Sequence, residues 1–156
     1  MADATSTGEL DQQSENTALA GALEAEHAAV WGYGVVGAAL SPGAQASAAT
    51  SEAAHRDLRD RLISLLADRN ADTPDARGAY ALPFPVLSEV DAAALAATLE
   101  DGVAAAWVRL LDQAAERSTR ELAAGALSAA EVRAVGWRVA AGQTPVTRAL
   151  PGLPAS

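Results

Sequence analysis

Glu24-Ala-Glu-His27 and Glu52-Ala-Ala-His55 both read Glu-x-x-His, and together they hold both histidines of the chain. At that spacing a Glu and a His share one face of a helix and can grip the same ion. The motifs flank a break at Ser41-Pro42-Gly43, with His27 and His55 nearly equally far from it. Two antiparallel helices joined there hold both histidines at one height. If a third helix runs parallel to the second, Glu100 enters about as deep as His55. Glu26, Glu52, His55 and Glu100 then converge on one layer, with His27 and Glu24 at its margin. Carboxylates with an imidazole suit Fe or Mn, and also Zn.

The last helical stretch supplies something different. It has no His, Glu131 lies roughly opposite its apolar face, and the residue level with Glu100 is about Arg133. A di-metal bundle site takes a Glu from each of two helices and a Glu-x-x-His from each of the other two. An arginine at that level pairs with a carboxylate and repels a metal ion. Three readings follow. The first is a buried Glu/His/Arg network in a narrow Ala-lined core, structural and without cofactor. The second is a metal site on Glu26, Glu52, His55 and Glu100, mononuclear or degenerate. The third is a working di-iron oxidase, which the fourth helix disfavours.

The elements that must position these residues are helices. The chain has 156 residues, 50% hydrophobic and 20% charged, which suits one domain with a real core. Aromatics supply 4% while Ala occurs 41 times, and Ala is the best helix former. A polar tail is expected over 1–16, then a first helix from Asn16 or Thr17 to Leu40. Leu19, Leu23, Glu26, Val30, Tyr33 and Gly37 share one face of it. A second helix runs from about Ala44 to Arg69. Residues 70–87 hold Pro74, Pro83 and Pro85 around Tyr80-Ala-Leu-Pro-Phe-Pro-Val86, which excludes a helix but is too apolar for a solvated loop. That segment reads as an ordered crossover.

Ser88 is an N-cap for a third helix ending near Arg117, with Asp91 in its first turn. Ser118 caps a fourth, reaching Gly142 with Leu122, Ala129, Val132, Gly136 and Val139 inward. The bundle thus spans 17–142. Pro145, Pro151 and Pro154 make 143–156 an extended tail, with Leu150 and Leu153 as docking points. Short turns between helices 1–2 and 3–4 with one long link between 2 and 3 give an up-down-down-up, ferritin-like four-helix bundle, all-α.

Composition excludes much else. The chain has no Cys, so disulfide scaffolds, Cys-ligated zinc, iron–sulfur clusters and cysteine catalysis are out. Net charge is −9, and all 11 basic residues are Arg without a basic run, so neither nucleic acid nor an anionic membrane is an expected partner. Residues 1–16 have neither the basic start nor the apolar core of a signal peptide, and no stretch approaches a bilayer span, so the cytoplasm is expected. Trp31, Trp107 and Trp137 read as packing anchors. Gly32, Gly34 and Gly37 suit close approach of a neighbour, whether helix 4, a partner subunit or the crossover. Apolar Tyr80–Val86 and Leu150–Leu153 exceed what one core consumes, which points to a homodimer.

ALEAEHAAVWGYGVVGAAL (22–40), AAHRDLRDRL (53–62), YALPFPV (80–86), LEDGVAAAWVRLL (99–111) and the Trp-Arg…Pro-Gly-Leu tail (129–154) together carry a family resemblance. Over residues 17–154 the chain resembles an uncharacterised ferritin-like domain family of high-GC, actinobacterial bacteria. The resemblance implies a ferritin-like bundle and no established activity. Carboxylates persist on helices 1 and 3 and a Glu-x-x-His on helix 2, while helix 4 lacks its own. The expected function is a non-enzymatic helical protein with a degenerate metal site. The alternative is a metal-binding oxidoreductase or iron handler using Fe, Mn or Zn.

Overall fold

Alanine-rich stretches broken by Pro and Gly fold as four helices in the computed structural model, which describes residues 2–154 and side chains from residue 7 onward. They are α1 (Ala2–Ala39), α2 (Pro42–Asp68), α3 (Glu89–Gln113) and α4 (Arg117–Ala140), and no strand occurs among the described residues. Met1, Ala155 and Ser156, at the ends of the two expected tails, lie outside the described residues. None of the described helices is long and apolar enough to cross a membrane.

Local chemistry sets the helix ends. Pro42 opens α2 behind an extended Ser41, where its missing N–H costs nothing. Ser88 caps α3: its Oγ accepts from the Asp91 amide at 3.1 Å and donates to the Asp91 carboxylate at 2.8 Å. That hydroxyl, with the Leu87 amide, holds the Asp91 carboxyl below its ordinary range. Asn70, at φ 50, follows the end of α2.

Close backbone packing joins α1 to α2, α1 to α3 and α3 to α4. Contacts between Tyr33 and Glu100, Glu26 and Trp107, and Glu15 and Ala115 run in opposite senses, so α1 is antiparallel to α3. Pairs Glu26–His55 and Glu15–Arg69 make α1 antiparallel to α2. The order is therefore up-down-down-up, with the proline-rich crossover linking parallel α2 and α3. Phe84 and Val86 of the crossover pack on the core, and Tyr80 lies 5.8 Å from Trp31 ring to ring. Gly32 faces α3, where an added Cβ would sit 2.6 Å from a Leu99 methyl.

Two apolar clusters fill the interior. One gathers Leu19, Leu23, Leu62, Trp107, Leu110 and Leu122, the other Tyr33, Val36, Ala48, Leu95 and Trp137. Between them, every helix contributes a polar residue to one layer: Glu26, His55, Glu100 and Arg133.

Three expectations are corrected here. Helix α1 starts at Ala2 rather than near Asn16. Glu15, 1% exposed, explains the anchoring of its polar stretch. Its carboxylate accepts from the amides of Ala115 and Glu116 at 2.6 and 2.9 Å, from Thr119 Oγ1 at 2.5 Å and from Arg69 Nη2 at 2.7 Å. Glu116, the N-cap of α4, makes no side-chain cap, so Glu15 satisfies the amide end of α4 from another helix. Burial raises the Glu15 pKa, but the Thr119, backbone and Arg69 contacts outweigh it and hold it low. Glu15→Ala, which strands two amides and the Thr119 hydroxyl and leaves Arg69 to Glu116 and Asn16, is expected to cost about 3 kcal/mol, read as a drop in the denaturation midpoint.

The inward face of α4 also differs. Leu122, Ala126, Ala130, Ala134 and Trp137 point in, while Val132 is 72% exposed and Ala129, Gly136 and Val139 also face outward. A narrow core takes the alanines and turns the larger valines out. In the tail, Leu150 and Leu153 stay exposed rather than docking. Gly152 docks instead: at φ +79 it lies so close to Ala104 that a Cβ would meet the Ala104 oxygen at 2.6 Å.

A candidate functional site: the polar layer at mid-bundle

Glu26 faces inward from α1 because it falls on the stripe of Leu19, Leu23 and Tyr33. His55 lies one turn along α2 from buried Ser51, and Glu100 falls between Ala97 and Val103 on the buried face of α3. All three side chains are fully buried. His55 Nδ1 meets Glu26 Oε2 at 2.7 Å and Nε2 meets Glu100 Oε1 at 3.1 Å. Each ring nitrogen faces a carboxylate oxygen, an arrangement that an imidazolium with a proton on both nitrogens satisfies.

Arg133 Nε donates to Glu100 Oε1 at 2.8 Å, with the arginine side chain 17% exposed. Tyr33 OH donates to the same oxygen at 2.5 Å, and Trp107 Nε1 donates to Glu26 Oε1 at 2.9 Å. The layer holds two negative and two positive groups and is neutral. Burial pushes the His55 pKa down, but the hydrogen bonds to Glu100 and Glu26 outweigh it and raise it to about 9. Burial alone raises Glu100, yet the bonds from His55 and Arg133 hold its carboxyl below its ordinary value. Burial and the Glu100 charge both push the Tyr33 phenol upward, so it stays a donor. Tyr33 also stacks on His55, with ring centres 5.2 Å apart.

The remaining candidates lie elsewhere. Glu52 turns outward and pairs with Arg56 Nη2 at 2.5 Å, so it does not join the layer. His27 is buried at the crossover, with Nε2 3.1 Å from the Pro74 carbonyl, and Glu24 is exposed. Among the described residues no group of three or more His, Cys, Asp or Glu is arranged to hold a metal ion.

Sequence reasoning missed Tyr33 and Trp107 as polar partners, although the signal was present. Tyr33 follows Glu26 by seven residues and Trp107 follows Glu100 by seven, two helical turns on the same face. It also missed Arg138, 2% exposed, which donates to Glu131, Asp101 and the Val146 carbonyl. Burial disfavours its charge, but Glu131 and Asp101 outweigh that and raise its pKa. With Arg148 on Asp101 at 2.8 Å, this cluster ties the tail to α3 and α4.

The family described as "Domain of unknown function (DUF4439)" matches residues 18–155. Among solved structures, the chain is similar to a conserved hypothetical protein, rv2844, from Mycobacterium tuberculosis. That likeness has 37% identity and a TM-score of 0.79, over 81% of this chain and 96% of that one. No curated protein matches.

Proposed function

Because the chain belongs to the family described as a domain of unknown function (DUF4439), we propose that it is a ferritin-like bundle that works without catalysis, its metal layer replaced by the Glu26/His55/Glu100/Arg133 network. Internal correspondence supports the ferritin-like part. The α1–α2 pair supplies Glu26 and, 29 residues on, His55, while the α3–α4 pair supplies Glu100 and, 33 residues on, Arg133. Tyr33 of the first pair donates to the second pair's Glu100, and Trp107 of the second to the first pair's Glu26. In this correspondence Arg133 stands where a second histidine would.

The donor set does not fit a metal ion, and His55 carries that conclusion. Both of its nitrogens hold protons that point at carboxylates, so neither has a lone pair to offer. Arg133 adds a cation on Glu100, and Glu52 is engaged on the surface. Protein purified without chelator and offered Fe(II) or Mn(II) at neutral pH is expected to hold well under one equivalent per chain. Stoichiometric metal that is lost in His55→Ala would contradict this reading.

The same reading takes the protein as a cytoplasmic homodimer. Val139 and Leu150 expose apolar side chains on α4 and the tail, and a two-fold contact is the commonest cover for such a patch. Light scattering across a concentration series should give twice the chain mass. One chain mass throughout would count against the dimer.

A further inference from the structure

A groove of about 330 Å³ opens between α2 and α4, the one seam of neighbouring helices without close backbone packing. Its lining includes Val132, Arg133, Gly136 and Ala140 from α4 and Ser47 and Ser51 from α2. Among the described residues Arg133 is the only charged one that lines it, and none of the lining residues is a carboxylate.

Arg133 spends Nε on Glu100, and its Nη2 is fully buried without a partner. A buried donor without an acceptor carries a desolvation cost that a matching acceptor removes. Glu100 Oε2 is also buried without a partner, but Glu100 does not line the groove, whereas Arg133 does.

We propose that this groove binds a small apolar monocarboxylate, its head on the unpaired Nη2 of Arg133 and its chain along Val132, Gly136 and Ala140. A carboxylate offers two acceptor oxygens to a planar guanidinium, which suits it better than a single-point acceptor. An amine is repelled by Arg133. A phosphate dianion has one arginine here and no second cation. The volume accommodates about ten water-sized groups, the size of an eight-carbon acid. The inference concerns the outer side of Arg133, not its pairing with Glu100, and so goes beyond the charge-network reading.

Octanoate is the probe, with octan-1-ol and octylamine as controls, followed by tryptophan fluorescence and calorimetry on the full chain. Octanoate should bind saturably at one site per chain, with the alcohol at least about tenfold weaker and the amine not binding. Gly136→Leu should abolish binding, because a side chain there fills the groove. An added Cβ at Gly136 meets nothing within 4 Å, so the variant should melt no lower than wild type. Ser47→Phe, on the opposite wall, should act alike. No saturable octanoate binding would overturn the proposal, as would binding retained in both folded variants or equal binding of octylamine. A wild-type dimer that Gly136→Leu turns into monomers would also overturn it, since a second copy would then occupy the groove.

Discussion

Arg133→Ala is expected to lose about 3–5 kcal/mol of stability near neutral pH. Its Nε lies 2.8 Å from Glu100 Oε1, and the Glu100 side chain is fully buried. Without the guanidinium, two carboxylates face one imidazolium and the layer carries a buried net charge. The deficit should shrink in acid. Glu100 has its pKa pushed up by burial and, more strongly, held down by His55 and Arg133. A depressed carboxyl contributes stability above its unfolded value and loses it as pH falls through the folded value. Once Glu100 is protonated there is little left for Arg133 to compensate. Denaturation of both proteins near pH 7 and in acid measures this convergence. If Arg133→Ala instead melts within a degree or two of wild type at pH 7, Arg133 is a surface arginine and the metal reading gains. Arg133→His, which returns an imidazole to α4, should partly restore uptake of Fe(II) or Mn(II).

His55→Ala should be at least as costly, and it should change how stability depends on pH. Burial lowers the His55 pKa, but the bonds to Glu100 and Glu26 raise it to about 9 from an ordinary 6.5. A raised histidine contributes fully below its unfolded value, and the contribution disappears as pH climbs through the folded one. Wild-type stability should therefore decline between roughly pH 6.5 and 9, by on the order of 3 kcal/mol. In His55→Ala, expected to be about 3–5 kcal/mol less stable at neutral pH, that window should be flat. Urea denaturation from pH 6 to 10 reads both effects. A wild type with no decline over the window would mean that His55 is neutral at pH 7.

Much of the layer could be read from turn counting. Nearly equal distances from Ser41–Pro42 put His27 and His55 at one height with Glu26 beside them, depth along the third helix added Glu100, and level-matching on the fourth found Arg133. Phase was harder than height. Residues three and four apart share a helix face, so spacing alone lets either Glu52 or Ser51 accompany His55. The structure buries Ser51 and gives Glu52 to Arg56, its neighbour one turn on. In α4, hydrophobicity pointed to Val132 and Val139, whereas a core this narrow selects Ala126, Ala130 and Ala134. Glu15 could not be found locally at all. Its partners Ala115 and Thr119 lie 100 and 104 residues away, and only the folded chain brings the end of α4 onto it.

The central claim is that His55 donates through both nitrogens, and nitrogen NMR of the imidazole tests it most directly. With ¹⁵N-histidine in the intact protein, both His55 ring nitrogens should show protonated shifts at pH 7.5, with the change to a neutral ring only near pH 9. A His55 nitrogen carrying a free lone pair at pH 7.5 would contradict the charge-balanced layer and return the site to the metal ligands.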